Sequence, residues 1–333
     1  MSYKNGPINK MFQTDPIIWL QSFSHPFLTF IMQVFTYAGY PTFFIIFILS
    51  FFYGVDHKKG WELFHLVLLG GFVTVLAKEF FSYPRPFYLT QSVKLWDPFL
   101  LKDFPLVKSF ESISFFSLIP ENILNEFRKI PQAKFGFPSG HTSVGLCFWG
   151  YLWKSYKQNK AISTFCFIMI IFVPFSRLYL GVHFIGDILG GYLLGLFILM
   201  AFTKISKWIF YFRPSFSLIP LSYLFLFPIL GIFLLSSKNL FICCYLLGMN
   251  FVLLFLDNFD FLKKLQDRKI VERLVVIFSV SVFFFAIRLI LKKGLLLVGL
   301  ENNIFALCFR HTLTAFLGTF VPLLFLKKRF KTY

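Results

Sequence analysis

Three clusters of polar residues interrupt a strongly apolar chain, and their residue types suit chemistry on phosphate. KEFFSYPRP holds Lys78 and Arg85, FGFPSGHTS holds Ser139, Gly140 and His141, and SRLYLGVHFIGD holds Arg177, His183 and Asp187. Lys78, Arg85 and Arg177 supply three cations. The arginines offer planar donor forks matched to phosphate oxygens, and the lysine adds a point charge on a flexible stem. Lys78 and Arg85 are seven residues apart. That is near two helical turns, so a shared helix would aim both at one pocket, with Pro84 and Pro86 ending it. Ser139, Gly140 and His141 open an apolar run. The first N–H groups of a helix starting there lack partners and favour an anion. Gly140 lets that backbone approach a ligand closely.

Two histidines and one carboxylate can divide the remaining work. Asp187 lies four residues after His183, so on a helix the two share a face, and the carboxylate can fix the imidazole tautomer and stabilise its cation. His183 is therefore the better nucleophile, and His141, without a local carboxylate, the better acid for the leaving alkoxide. Gly181 eases the turn that brings Arg177 beside them.

The elements that must position these residues are membrane spans. Of 333 residues 57% are hydrophobic and only 14% charged, against about a quarter charged in soluble domains. The mean hydropathy is +0.71, and the apolar residues lie in runs long enough to cross a bilayer. The runs predict about nine spans, near 28–54, 62–82, 141–153, 161–178, 183–203, 216–235, 240–257, 273–290 and 304–326. A net charge of +18 sits in short loops between these runs, which argues against nucleic acid as a partner. By the positive-inside rule the loops carrying Lys58, Lys59, Lys154, Lys157, Lys204 and Lys263 are cytoplasmic, as is the C-terminus. The N-terminus and the long 87–137 segment are then outside, on the face that holds all three polar clusters. The first 26 residues show no leader-like apolar core. Cys147, Cys166, Cys243, Cys244 and Cys308 all fall within apolar runs without zinc-like spacing and read as small buried hydrophobes.

In order, the clusters read K-x6-RP, PSGH and SR-x5-H-x3-D, and every specified position is filled. This resembles the type 2 phosphatidic acid phosphatase superfamily. The resemblance covers about residues 15–205 and implies an all-α, polytopic helical core and a metal-independent phosphohydrolase without cofactor. By that match His183 is the nucleophile, Asp187 its partner and His141 the acid. Lys78, Arg85, Ser139, Gly140 and Arg177 hold phosphate. Four further spans loosely resemble the sphingosine-phosphate phosphatase branch and its bacterial relatives.

The expected organisation is a catalytic membrane core over 1–205, with an outer cap at 87–137 that gates lipid entry, and an additional C-terminal bundle over 206–333. The expected activity is hydrolysis of a lipid phosphate monoester, or of an isoprenoid pyrophosphate, through a phosphohistidine. The expected setting is a bacterial cytoplasmic membrane with the site on its outer face. The alternatives are a lipid phosphotransferase using the same intermediate and a non-catalytic binding or transport protein. Arg288, Arg310 and His311 are expected to anchor the last spans at the interface, with a headgroup pocket as the other reading.

Overall fold

The computed structural model describes residues 12–100, 118–130, 133–210, 222–235, 239–255 and 261–331. Residues 101–117 and 131–132 of the expected cap, and 216–221 of the expected sixth span, lie outside the described residues. Every regular element among the described residues is helical. In chain order the helices are α1 (Asp15–Ser22), α2 (Pro26–Tyr37), α3 (Pro41–Gly54), α4 (His57–Phe81), α5 (Glu121–Arg128), α6 (Gly140–Ser155), α7 (Lys160–Tyr179) and α8 (Ile185–Phe210). They continue as α9 (Phe227–Leu234, entered through a π-turn at Ser222–Leu226), α10 (Phe241–Phe255), α11 (Phe261–Gln266), α12 (Ile270–Leu297) and α13 (Ile304–Lys331).

Among the described residues five stretches are long and apolar enough to cross a membrane alone: His57–Tyr88, Lys160–Tyr179, Ile185–Lys204, Ile270–Leu297 and Ile304–Phe330. A sixth arises if α2 and α3, bent by 56° at their junction, count as one broken span. Each of the nine apolar runs holds helix in whole or part; α6, and the helices within 222–234 and 241–252, are the shorter ones. The chain is a multi-pass membrane protein. Its helices leave apolar faces uncovered: only 11% of the apolar window of α12 is buried, and Phe278 and Val282 point outward. Such faces are matched to lipid.

The helices group into two compact units. One comprises residues 1–41 and 73–199, the other 42–72 and 200–333. All of the candidate chemistry falls in the first. Lipid tails give apolar helices little reason to prefer one another, so close packing depends on small residues. α8 meets the start of α6 in that way. A side chain on Gly191 would strike Thr142 Cβ at 2.7 Å and Ser139 O at 2.8 Å, and one on Gly195 would strike Ser143 O at 2.6 Å. This contact sets Asp187 beside Ser139, whose N–H donates to Asp187 O at 2.9 Å.

A hydrophobic cluster in this unit gathers Phe87, Val93, Ile123 and Phe127 from the 87–137 segment onto Leu178 and Phe184, which flank Arg177 and His183. Out of water, each such side chain contributes roughly 1.5–3 kcal/mol. The described part of the expected cap is thus packed against the turn that carries the chemistry.

The second unit has its own core, where Tyr53, Val252, Leu262, Ala315 and Leu323 meet. His65 is fully buried there. Its Nδ1 pairs with Trp61 O and its Nε2 with Asn250 Oδ1, both at 2.9 Å, while Asn250 Nδ2 donates to Leu224 O. Near the start of α13, Arg310 Nη2 lies 2.8 Å from His311 Nε2.

Candidate active site

Lys78 and Arg85 converge, though not by helical periodicity. α4 stops at Phe81, four residues before Arg85. Ser82 takes a left-handed conformation (φ 52°) that ends the helix, and Tyr83 precedes a proline, which disfavours α geometry. Arg85 reaches the site from an extended segment (φ −91°, ψ 161°). Both cations then find the same backbone. Lys78 Nζ donates to Phe135 O (3.1 Å) and Gly136 O (2.7 Å), and Arg85 Nε donates to Phe135 O (3.3 Å). The carbonyls just before PSGH thereby orient two of the three cations. Arg85 Nη1 is buried without a partner.

Ser139 is the N-cap of α6, yet its side chain makes no capping bond, and its buried Oγ has no partner. The first-turn N–H groups of α6 add donors at the same point. An ideal Cβ on Gly140 would sit 3.9 Å from Lys78 Cε, so cation and helix start are neighbours. His141 follows in that first turn. Its ring stands edge-on to Tyr40, centroids 4.6 Å apart at 87°, and its buried Nε2 has no partner.

Gly39 makes room for that ring. A Cβ there would overlap His141 Cδ2, approach Cγ at 2.9 Å and meet Val173 Cγ1 at 3.2 Å. Gly39→Ala must therefore push the imidazole off its position. Since displacement of a reacting group by about 1 Å can cost ~100-fold, steady-state kinetics of this variant should show kcat down by about 10–100-fold. Inorganic phosphate binding should stay nearly unchanged.

His183 and Asp187 pair by a route the sequence did not suggest. α8 begins at Ile185, so they are not two residues on one helical face. His183 lies before the helix, and Asp187 reaches back from its first turn as a capping residue does. One carboxylate oxygen, Oδ2, accepts from both Phe184 N (3.1 Å) and His183 Nδ1 (3.0 Å). The helix dipole favours a carboxylate at this end. With Nδ1 engaged, Nε2 is the ring nitrogen left for any other contact. Both residues are buried.

Arg177 lies in the last turn of α7, where the dipole favours a cation. That helix ends in paired bonds, Val182 N to Arg177 O (3.0 Å) and Gly181 N to Leu178 O (3.1 Å), with Gly181 at φ 75°. This left-handed glycine cap turns the chain sharply into His183. The Arg177 side chain is buried against Asp97, with Nη1 2.5 Å from Oδ2, and also donates to Thr36 Oγ1. Tyr40 OH lies 2.7 Å from both Asp97 oxygens, and Phe99 N donates to Oδ1 at 2.8 Å. Burial acts to raise the Asp97 carboxyl, but the Arg177 charge and these hydrogen bonds outweigh it and hold it below the usual carboxylate range. Arg177 Nε is buried without a partner.

The sequence-predicted residues therefore gather in one unit, around a cradle whose unpartnered donors come from Arg85, Ser139 and Arg177, with the unpartnered Nε2 of His141 in the same unit. Among the described residues no group of three or more His, Cys, Asp or Glu side chains could hold a metal ion. The cysteines are free: Cys147, Cys166, Cys243 and Cys244 are buried and Cys308 half-buried.

Residues 59–211 match the PAP2 superfamily model, and this stretch carries all three motifs. They are a PAP2 superfamily domain. The chain is also 36% identical over 75 residues to phosphatidylglycerophosphatase B of Bacillus subtilis (strain 168). That match takes in 20% of this chain and spans only 37% of the relative's length. Among solved structures, Aquifex aeolicus LpxE aligns with 61% of this chain and 99% of its own, at TM-score 0.42 and 20% identity. A transmembrane PAP2-type phosphatidylglycerolphosphate phosphatase from Bacillus subtilis aligns with 60% and 89%, at TM-score 0.39 and 21% identity.

Within the PAP2 domain the sequence reading missed Asp97 and the Phe135 and Gly136 carbonyls. Outside the matched stretch it missed Thr36, Gly39 and Tyr40. Backbone carbonyls leave no mark in side-chain types. Asp97, in LWDPF, reads as an ordinary Asp-Pro turn.

Proposed function

We propose that this protein is a membrane phosphatase that removes phosphate from a lipid phosphate monoester through a phosphohistidine on His183. One observation carries the reading. Unpartnered buried donors of Arg85, Arg177 and Ser139 cluster with a histidine whose Nδ1 is held by a buried carboxylate. Donors left without partners are costly, and a phosphoryl group would satisfy them together.

In the proposed reaction His183 Nε2 attacks phosphorus while the bond to the lipid oxygen breaks. His141 gives its proton to the departing alkoxide, and Asp187 stabilises the positive charge that develops on the phosphorylated imidazole. Lys78, Arg85, Arg177, Ser139 and the Gly140 end of α6 hold the equatorial oxygens. A water then attacks phosphorus, His141 takes its proton, the P–N bond breaks, and inorganic phosphate leaves. The charge stabilisation comes from the protein's own cations, so the proposed reaction needs no metal.

Residues 1–205 are the proposed catalytic core, with 87–137 as its outer cap and 206–333 as an added bundle. The basic loops support a cytoplasmic C-terminus and a site on the outer face. The relatives' organisms support a bacterial cytoplasmic membrane. A substrate whose tail stays in lipid suits a site on a multi-pass core. Candidates are phosphatidic, lysophosphatidic, sphingoid-base, phosphatidylglycerol and polyprenyl phosphates, or an isoprenoid pyrophosphate.

Arg177→Lys should lower kcat/KM by about 100-fold, the scale of one lost oxyanion donor, because an ammonium cannot reproduce a fork that bonds Asp97 and Thr36 while presenting Nε. The reading as a whole is tested by phosphate release from a panel of lipid phosphates. The detergent-solubilised full chain is assayed with excess chelator and His183→Ala as control. Chelator-resistant release that vanishes in the variant supports it. Phosphate transfer that requires an added lipid or sugar hydroxyl replaces it with phosphotransfer, and no turnover in either arm replaces it with a binding role.

A further inference from the structure

The outer segment does more than cover the site, because it delivers a buried carboxylate to the third cation. Asp97 and Arg177 are only 2% exposed and form an ion pair at 2.5 Å. Asp97 reaches this position because its loop is tied down on several sides. Trp96 N donates to Leu180 O (3.2 Å), Gln33 Nε2 donates to Trp96 O (2.9 Å), and Gln21 bridges Lys94 O (2.7 Å) to Tyr179 O (3.0 Å). Lys94 O also packs where a side chain on Gly181 would stand.

From this geometry we infer that Asp97 is a positioning residue for Arg177: it holds the guanidinium by Nη1 so that the Nε edge is presented to the phosphate. The inference rests on reading the cradle as a phosphate site. An arginine side chain has many rotamers, and fixing one before the ligand arrives lowers the cost of binding. Loop attachment alone does not call for the pair, since the glutamine and main-chain bonds already hold residues 94–96. Nor does a buried ion pair add much stability over an apolar pair of the same shape. Its partners point to the chemistry instead. Arg177 carries an unpartnered Nε, and Tyr40, which donates to Asp97, presents its ring to His141. Thr36 supports the same arrangement by accepting from Arg177 while its main chain bonds His141.

A double-mutant cycle tests this with the full chain in detergent, using kcat/KM on a lipid phosphate and binding of inorganic phosphate. Asp97→Asn keeps the shape but removes the charge and turns one of the two accepting oxygens into a donor amide. If it acts through Arg177, it should weaken both readouts by about 10-fold or more in the otherwise native protein and by less than about 2-fold in an Arg177→Ala background. Equal losses in the two backgrounds, or no loss in the native one, would overturn the inference. Tyr40→Phe, which keeps the ring beside His141, provides a second entry should Asp97→Asn fail to fold. It should show a smaller loss that likewise disappears without Arg177, and a loss that persists would count against the inference. Phosphate binding is independent of turnover. A protein that binds phosphate with this coupling yet hydrolyses no lipid would contradict the proposed reaction and leave the role of Asp97 standing.

Discussion

Replacing His183 by alanine lowers kcat by at least about 10⁴-fold, the scale seen when a nucleophile is removed from a preorganised site. Among the described residues its imidazole is the one whose far nitrogen is aimed by a buried carboxylate, through a 3.0 Å bond between Nδ1 and Asp187 Oδ2. His141 cannot take over, because its ring is held edge-on against Tyr40, no carboxylate orients it, and it is needed as the acid. The phosphate cradle does not include the His183 ring as a donor, so inorganic phosphate should still bind the variant within a few-fold. Loss of turnover with binding retained separates a missing nucleophile from a misfolded chain. Steady-state kinetics and phosphate titration on the same preparation provide the check.

Asp187→Asn is the second large effect, expected at about 10²–10⁴-fold in kcat by analogy with other histidine-orienting carboxylates. A single oxygen, Oδ2, serves both His183 Nδ1 and the Phe184 N–H, while Oδ1 is buried without a partner. The asparagine can keep its carbonyl on the Phe184 N–H, which retains the start of α8. It has lost the negative charge that stabilises the phosphorylated imidazole. If it turns its amide toward His183 instead, the imidazole must carry its proton on Nε2 and the attacking lone pair is gone. Either way the variant folds and binds phosphate but turns over slowly. Unchanged kcat in Asp187→Asn would remove the orienting role.

The candidate residues were legible in the sequence because ionisable residues are rare in spans and the three clusters stand out against the apolar runs. The reasons for convergence were less so. Lys78 and Arg85 meet through the Phe135 and Gly136 carbonyls after α4 has already ended at Ser82, not by helical repeat. His183 and Asp187 pair across a helix start, not along a helix face. In both cases residue spacing allowed contact, but the contact was made by chain reversal that periodicity cannot express. Asp97 was invisible for a different reason. Its role comes from the folding of the 87–100 segment against the Gly181 turn, a long-range contact with no local signature. The apolar runs were readable as helix, but run length alone did not separate five self-sufficient spans from the bent α2–α3 pair and the shorter helices. Residues 42–72 also belong to one compact unit with 200–333, an interleaving that a linear reading of the chain does not display.

The central claim is that His183 Nε2 becomes phosphorylated. The direct measurement is rapid quenching of the full-length protein with a lipid substrate carrying labelled phosphate, followed by peptide mapping under alkaline conditions, where phosphohistidine survives. The account predicts label on His183 that forms and decays at rates compatible with turnover, is lost on acid treatment, and is absent from His183→Ala. Label on His141 instead, or single turnover by His183→Ala at the native rate, would contradict it.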